Sequence, residues 1–137
     1  VASLERQLKQ VKQKAGFASL TGSGIIIKVF DENDKLEESG IVHDSDLRDI
    51  INELLIAGAR GIEVGGQRLI ATSSIRCVGP TILVNNKPIS VNPVVIKAVG
   101  DPEVLKSSLD IVQKQLQPFG IELKINSKTR INLSQLK

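Results

Sequence analysis

The chain has no methionine, tryptophan or tyrosine, and only one cysteine, one histidine and three phenylalanines. Each scarcity removes a class of function. With aromatics only at Phe17, Phe30 and Phe119, there is no platform on which successive bases could stack. The single thiol, Cys77, forbids an internal disulfide and leaves the redox compartment undecided. One histidine, His43, together with one cysteine falls short of the four ligands of a structural zinc site. No apolar run approaches the ~20 residues needed to cross a bilayer, and no signal-peptide pattern is present. A chain that begins at Val1 and lacks methionine is expected to be an excised fragment or a processed product, which leaves a missing N-terminal segment open.

Charge is the next constraint. The formal net charge is +3, and it resides in the first sixteen residues, where Arg6, Lys9, Lys12 and Lys14 face only Glu5. The remainder is balanced, so the folded part lacks the basic face that nucleic-acid binding requires. No nucleic-acid partner is expected. At 137 residues and 41% apolar content, one domain with a real core is expected.

What is present reads as helices and strands in a definite order. Residues 1–20 form an N-terminal helix in which Leu4, Leu8, Val11 and Ala15 recur at spacings of four, three and four, a heptad seam. Two heptads are too few for a stable coiled coil, since ~3–4 are needed. The preferred reading is the end of a longer coiled-coil stalk that makes a homodimer; a helix packed on its own domain is the alternative. Thr21–Gly24 reads as a hinge, and residues 21–137 as the globular domain. The nearly continuous apolar stretch Ile25–Phe30 suits a buried strand.

The stretch Ile41–Cys77 carries the most local information. Asp44 or Ser45 can cap a helix whose apolar face is Leu47, Ile50, Ile51, Leu54 and Leu55. Gly58 and Gly61 offer stop positions, and Gly65-Gly66 is a tight hairpin turn between Ile62–Val64 and Gln67–Ile70. Strands follow at Ser74–Val78, Thr81–Val84 and Val94–Val99. Asp101 caps a second helix with Pro102 in its first position, and Val104, Leu105, Leu109, Val112 and Leu116 form its inner face. Pro118 and Gly120 end it before a last strand, Ile121–Ile125. This order predicts an α+β fold: a two-layer α/β sandwich of ferredoxin-like type, with two helices on one face of a mixed sheet.

Several motifs come close to chemistry without completing it. Gly22-Ser23-Gly24 precedes a strand instead of opening a helix, so it is no dinucleotide fingerprint. Asp31–Ser39 is acidic, but Lys35 and Leu36 stand where a calcium loop needs a ligand and a glycine. His43-Asp44-Ser45-Asp46 offers an imidazole and carboxylates, either for metal binding or for capping a helix. Cys77, within a strand, reads as buried and inert. Arg68 and Arg76 suit an anion groove or, alternatively, surface ion pairs. No complete catalytic motif, metal site or cofactor motif is found.

Three segments, 41–69, 73–86 and 94–109, resemble in order the bacterial YlxW/YlxX-like envelope family, catalogued as domain of unknown function 881 and loosely labelled "division initiation protein". The resemblance spans roughly Gly24–Ile125. It implies a protein anchored in the cell membrane by one span, with a coiled-coil stalk and this domain on the extracytoplasmic side. Partners among division or cell-wall proteins follow as an expectation, with a non-enzymatic scaffold as the function. The alternative is a ligand-sensing or hydrolytic domain using His43, Asp46, Arg68 and Arg76. The family supplies no established catalytic residues, so His43, Asp44, Asp46, Gln67, Arg68, Arg76 and Cys77 stand as candidate positions.

Overall fold

The computed structural model describes residues 2–31, 42–91 and 93–136. Helix α1 (Ala2–Ala15) leads into β1 (Leu20–Asp31), whose first residue is already buried. The expected hinge at Thr21–Gly24 is therefore strand. Its pairing with the last strand shifts register between Gly22 and Gly24, a bulge that accommodates one extra residue. Gly24 is required there, because a Cβ would lie 1.9 Å from the Ala98 carbonyl oxygen. Most of the acidic loop considered for calcium lies outside the described residues.

Helix α2 (Asp44–Ile56) follows the expected periodicity. Leu47, Ile50, Ile51 and Leu54 are buried, whereas Leu55 is exposed. Each fully buried aliphatic side chain contributes about 1.5–3 kcal/mol relative to exposure, so this face alone fixes the helix against the core. Strands β2 (Gly61–Val64) and β3 (Gln67–Arg68) form the hairpin, with Gly65 at φ 58° and Gly66 at φ 84°. Positive φ at both central residues is the turn that matches strand twist, and glycine adopts it without Cβ strain. Next come β4 (Ile75–Val78), β5 (Thr81–Val84), β6 (Lys87–Pro88) and β7 (Val94–Val99).

The second helical segment is broken. Asp101 accepts a hydrogen bond from the Glu103 N–H and starts α3 (Pro102–Ser108). Leu109, at φ −93° and ψ −1°, separates it from α4 (Asp110–Leu116), and a 3-10 turn over Gln117–Phe119 follows. Leu105, Leu109, Val112 and Leu116 are buried as expected, but Val104 is not. The last strand, β8 (Ile121–Leu133), runs much further than the alternating apolar stretch indicates.

These strands make two sheets. The larger has the order β3-β2-β7-β1-β8, and the smaller is β4-β5-β6. Every pairing between them is antiparallel, which corrects the expectation of one mixed sheet. The reason is topological. The crossover through α2 carries the chain from β1 to β2 but skips one position, and β7 fills it, so no parallel neighbours arise. Ile25, Ile27 and Val29 share a cluster with the inner faces of α2, α3 and α4, which places these helices on one face of the larger sheet. Leu20, Val99, Ile131 and Leu133 form a second, smaller cluster.

Candidate functional site

The start of α2 is built by local electrostatics. Its N-cap is His43, one residue earlier than the expected Asp44 or Ser45. The Asp46 carboxylate accepts the His43 backbone N–H at 2.9 Å, satisfying a donor that the helix leaves unpaired. The imidazole lies mostly in solvent, with Nδ1 3.6 Å from Asp46 Oδ2. Asp44 Oδ2 accepts from Arg48 Nη2 at 2.9 Å, and the same Nη2 donates to the Ile75 carbonyl at 2.8 Å. Desolvation pushes the Asp44 carboxyl upward. The charge of Arg48 and hydrogen bonds from Ser45, Arg48 and Cys77 outweigh it and hold the group below its ordinary value.

Cys77 is exposed, which corrects the expectation of a buried thiol. It lies on the face of the small sheet that carries the buried Ile75 and Ile82, at the end nearest α2, where Sγ accepts the Asp44 N–H at 3.3 Å. Its neighbour Arg76, also exposed, donates to Asn86 Oδ1 at 3.0 Å and makes no ion pair among the described residues.

Arg68 is not a surface residue. It is 1% exposed, and its guanidinium donates to three backbone carbonyls: Ala18 at 2.9 Å, Ser134 at 3.1 Å, and Gln13. Those groups come from the end of α1, the approach to β1 and the residue after β8. Arg68 therefore ties both ends of the described chain to β3. Glu63, its partner across the ladder and also buried, accepts from Ser134 N at 3.2 Å. Burial lowers the Arg68 pKa, and the Glu63 charge opposes that shift. Both readings of Arg68, an anion groove and a surface ion pair, are thereby corrected. Gln67 points to the other face, as alternation along a strand requires, and its Oε1 is buried without a partner among the described residues.

His43, Asp44, Asp46 and Cys77 thus come together, whereas Arg76, which projects from the opposite face of β4 to Asn86, does not join them, nor do Arg68 and Gln67. Among the described residues, no group of three or more His, Cys, Asp or Glu side chains is placed to hold a metal.

A different site does converge. A groove of about 680 Å³ runs between α2, the start of β2 and the segment that joins β3 to β4. Its floor is Ile51, Leu55, Ile62, Leu69, Ile70 and Ile75, and its charged lining is Lys14, Arg48 and Arg60. Among the described residues no carboxylate lines it. Arg48 is shared with Asp44, whereas Lys14 and Arg60 form no ion pair among the described residues. The Arg60 guanidinium lies over Gly22, where a Cβ would come within 2.6 Å of it. The three cations sit far apart in sequence and none belongs to a recognisable motif, which is why pattern reading passes over them.

The N-terminal helix presents its seam to solvent. Leu4 is 66% exposed, Leu8 55% and Val11 62%, while Ala15 is half-buried and no residue of α1 is buried.

Comparison with known proteins places the chain. The family described as "Bacterial protein of unknown function (DUF881)" matches residues 7–137. The UPF0749 protein YlxW of Bacillus subtilis is 44% identical over 73 residues, covering 53% of this chain and 31% of that protein. The UPF0749 protein Rv1823 of Mycobacterium tuberculosis is 34% identical over 107 residues, covering 70% of this chain and 34% of the relative. YlxX of B. subtilis is 29% identical over 109 residues, covering 77% and 46%. The chain thus spans less than half the length of each of these relatives. The crystal structure of an uncharacterized conserved protein from M. tuberculosis superposes with a TM-score of 0.83 at 24% identity, over 96% of this chain and 92% of that one. It shares the fold. The chain belongs to the DUF881 family of bacterial proteins of unknown function, as the YlxW/YlxX-like resemblance of its sequence implies.

Proposed function

We propose that this chain is a non-enzymatic interaction module of a membrane-anchored envelope protein, held outside the membrane and dimerised through α1. In this reading a membrane span and further heptads precede Val1, and the partners are division or cell-wall proteins. The larger sheet and its helices form a ferredoxin-like framework, a reading supported by the order β2-β7-β1-β8.

The observation that carries the reading is the exposed seam Leu4–Leu8–Val11. The end of α1 is tied to the domain by Arg68, but Leu4, Leu8 and Val11 bury nothing against it, so this apolar stripe is stabilised only when another surface covers it. Heptad spacing selects a second copy of the same helix as that surface. The polar cluster at the start of α2 supports a non-catalytic role. The Asp46 carboxylate is engaged with the His43 N–H, and Asp44 with Arg48.

Sedimentation equilibrium of the longer protein tests this. The wild type is expected to be dimeric, and the Leu8→Glu/Val11→Glu variant monomeric with an unchanged domain melting temperature. A wild-type monomer, or a dimer indifferent to these substitutions, would refute self-association through α1.

A further inference from the structure

We propose that the groove beneath α2 binds an anionic amphiphile: a phosphate or carboxylate head carried on a single apolar chain. The inference is independent of self-association through α1. It rests on three properties of the groove taken together. The volume, about 680 Å³, lies within the range of about 300–1,000 Å³ typical of small-molecule sites. The floor is aliphatic, from Ile51, Ile62, Leu69 and Ile75, and so suits an alkyl chain rather than a sugar or a polar peptide.

The lining charge has one sign. Lys14, Arg48 and Arg60 contribute three cations, of which Arg48 is paired with Asp44 outside the groove, and among the described residues no carboxylate lies within it. A cation that lacks an ion pair at the edge of an apolar cavity has its strongest available partner in an anionic oxygen. Arg60 and Lys14 are both free for that role, since neither side chain donates a hydrogen bond or forms a salt bridge among the described residues. Arg48 is held in place by Asp44 and the Ile75 carbonyl, which leaves its remaining N–H groups fixed in orientation at the groove. The floor would hold the chain of the amphiphile while Arg60 and Lys14 bind its head.

Isothermal titration calorimetry with decyl phosphate, kept below its micelle concentration, tests the assignment. Saturable one-to-one binding is expected. Arg60→Ala and Lys14→Ala should each weaken it by about tenfold or more, and Ala71→Trp, a substitution at an exposed lining position, should block it. Decyl alcohol and inorganic phosphate, each carrying half of the required chemistry, should bind at least about tenfold more weakly. Circular dichroism of each variant verifies folding, and Arg60→Ala removes no side-chain hydrogen bond or ion pair among the described residues. Flotation with phosphatidylglycerol vesicles separates the sources. Monomer binding without vesicle binding identifies a soluble amphiphile, and vesicle binding that Arg60→Ala abolishes identifies a membrane lipid. Absence of saturable binding to either, or binding that Arg60→Ala and Lys14→Ala leave unchanged, would overturn the proposal. Equal affinity for decyl alcohol would also overturn it, by removing the role of charge.

Discussion

Glu63 and Arg68 stand opposite each other across the β2–β3 ladder, and both close on the same residue, Ser134. The Glu63 carboxylate accepts the Ser134 N–H, while the Arg68 guanidinium donates to its carbonyl. A two-residue strand thereby anchors the chain beyond β8, and through Ala18 and Gln13 also the exit from α1.

Replacing Arg68 with methionine should therefore destabilise the domain far more than a surface substitution. It leaves three carbonyls without their donor and Glu63 as a buried charge without a neighbouring cation, a situation that costs about 3–5 kcal/mol. Urea unfolding measures the loss. Adding Glu63→Gln to Arg68→Met should restore part of it, because the uncompensated charge is then gone. A loss below about 0.5 kcal/mol, as at ordinary surface positions, would contradict the clamp.

Asp44 gives a pH dependence with a definite sign. Its carboxyl titrates below its ordinary value of 3.8 in the folded chain. The ionised form is thus favoured by folding, and its stabilisation is complete above 3.8 and lost as pH falls through the folded value. The melting-temperature difference between wild type and Asp44→Asn should be constant above that point and shrink in more acidic buffer. A difference that grows on acidification would contradict the Asp44–Arg48 arrangement.

Cys77 should react in the native state. Because the thiol is exposed, a stoichiometric colour change with a disulfide-exchange reagent is expected without denaturant. Reaction only after unfolding would restore the buried assignment that its strand position suggests.

The features legible in the sequence are those set by near neighbours. The inner face of α2, the Gly65-Gly66 turn and the Asp101-Pro102 helix start each depend on residues within a turn or two, and each lies where spacing and capping chemistry put it. Features set by long-range pairing were not legible. Whether β4, β5 and β6 join the main sheet depends on edges that no local pattern specifies. The burial of Arg68 depends on carbonyls at positions 13, 18 and 134. The groove draws its cations from positions 14, 48 and 60. The break at Leu109 escapes because the apolar spacing of α3 continues unbroken into α4.

Self-association through α1 is the central claim, and thiol crosslinking tests it most directly. Two heptads make only a weak pair, so covalent trapping reports a dimer that sedimentation of the short chain would miss. In a Cys77→Ser background, Val11→Cys places one thiol on the seam, where equivalent positions of parallel helices face each other. Under mild oxidation this variant should form a disulfide-linked dimer within minutes, while a control with cysteine at Lys9, off the seam, stays monomeric. Equal and slow crosslinking at both positions would contradict the account and leave the exposed stripe of α1 to a different partner.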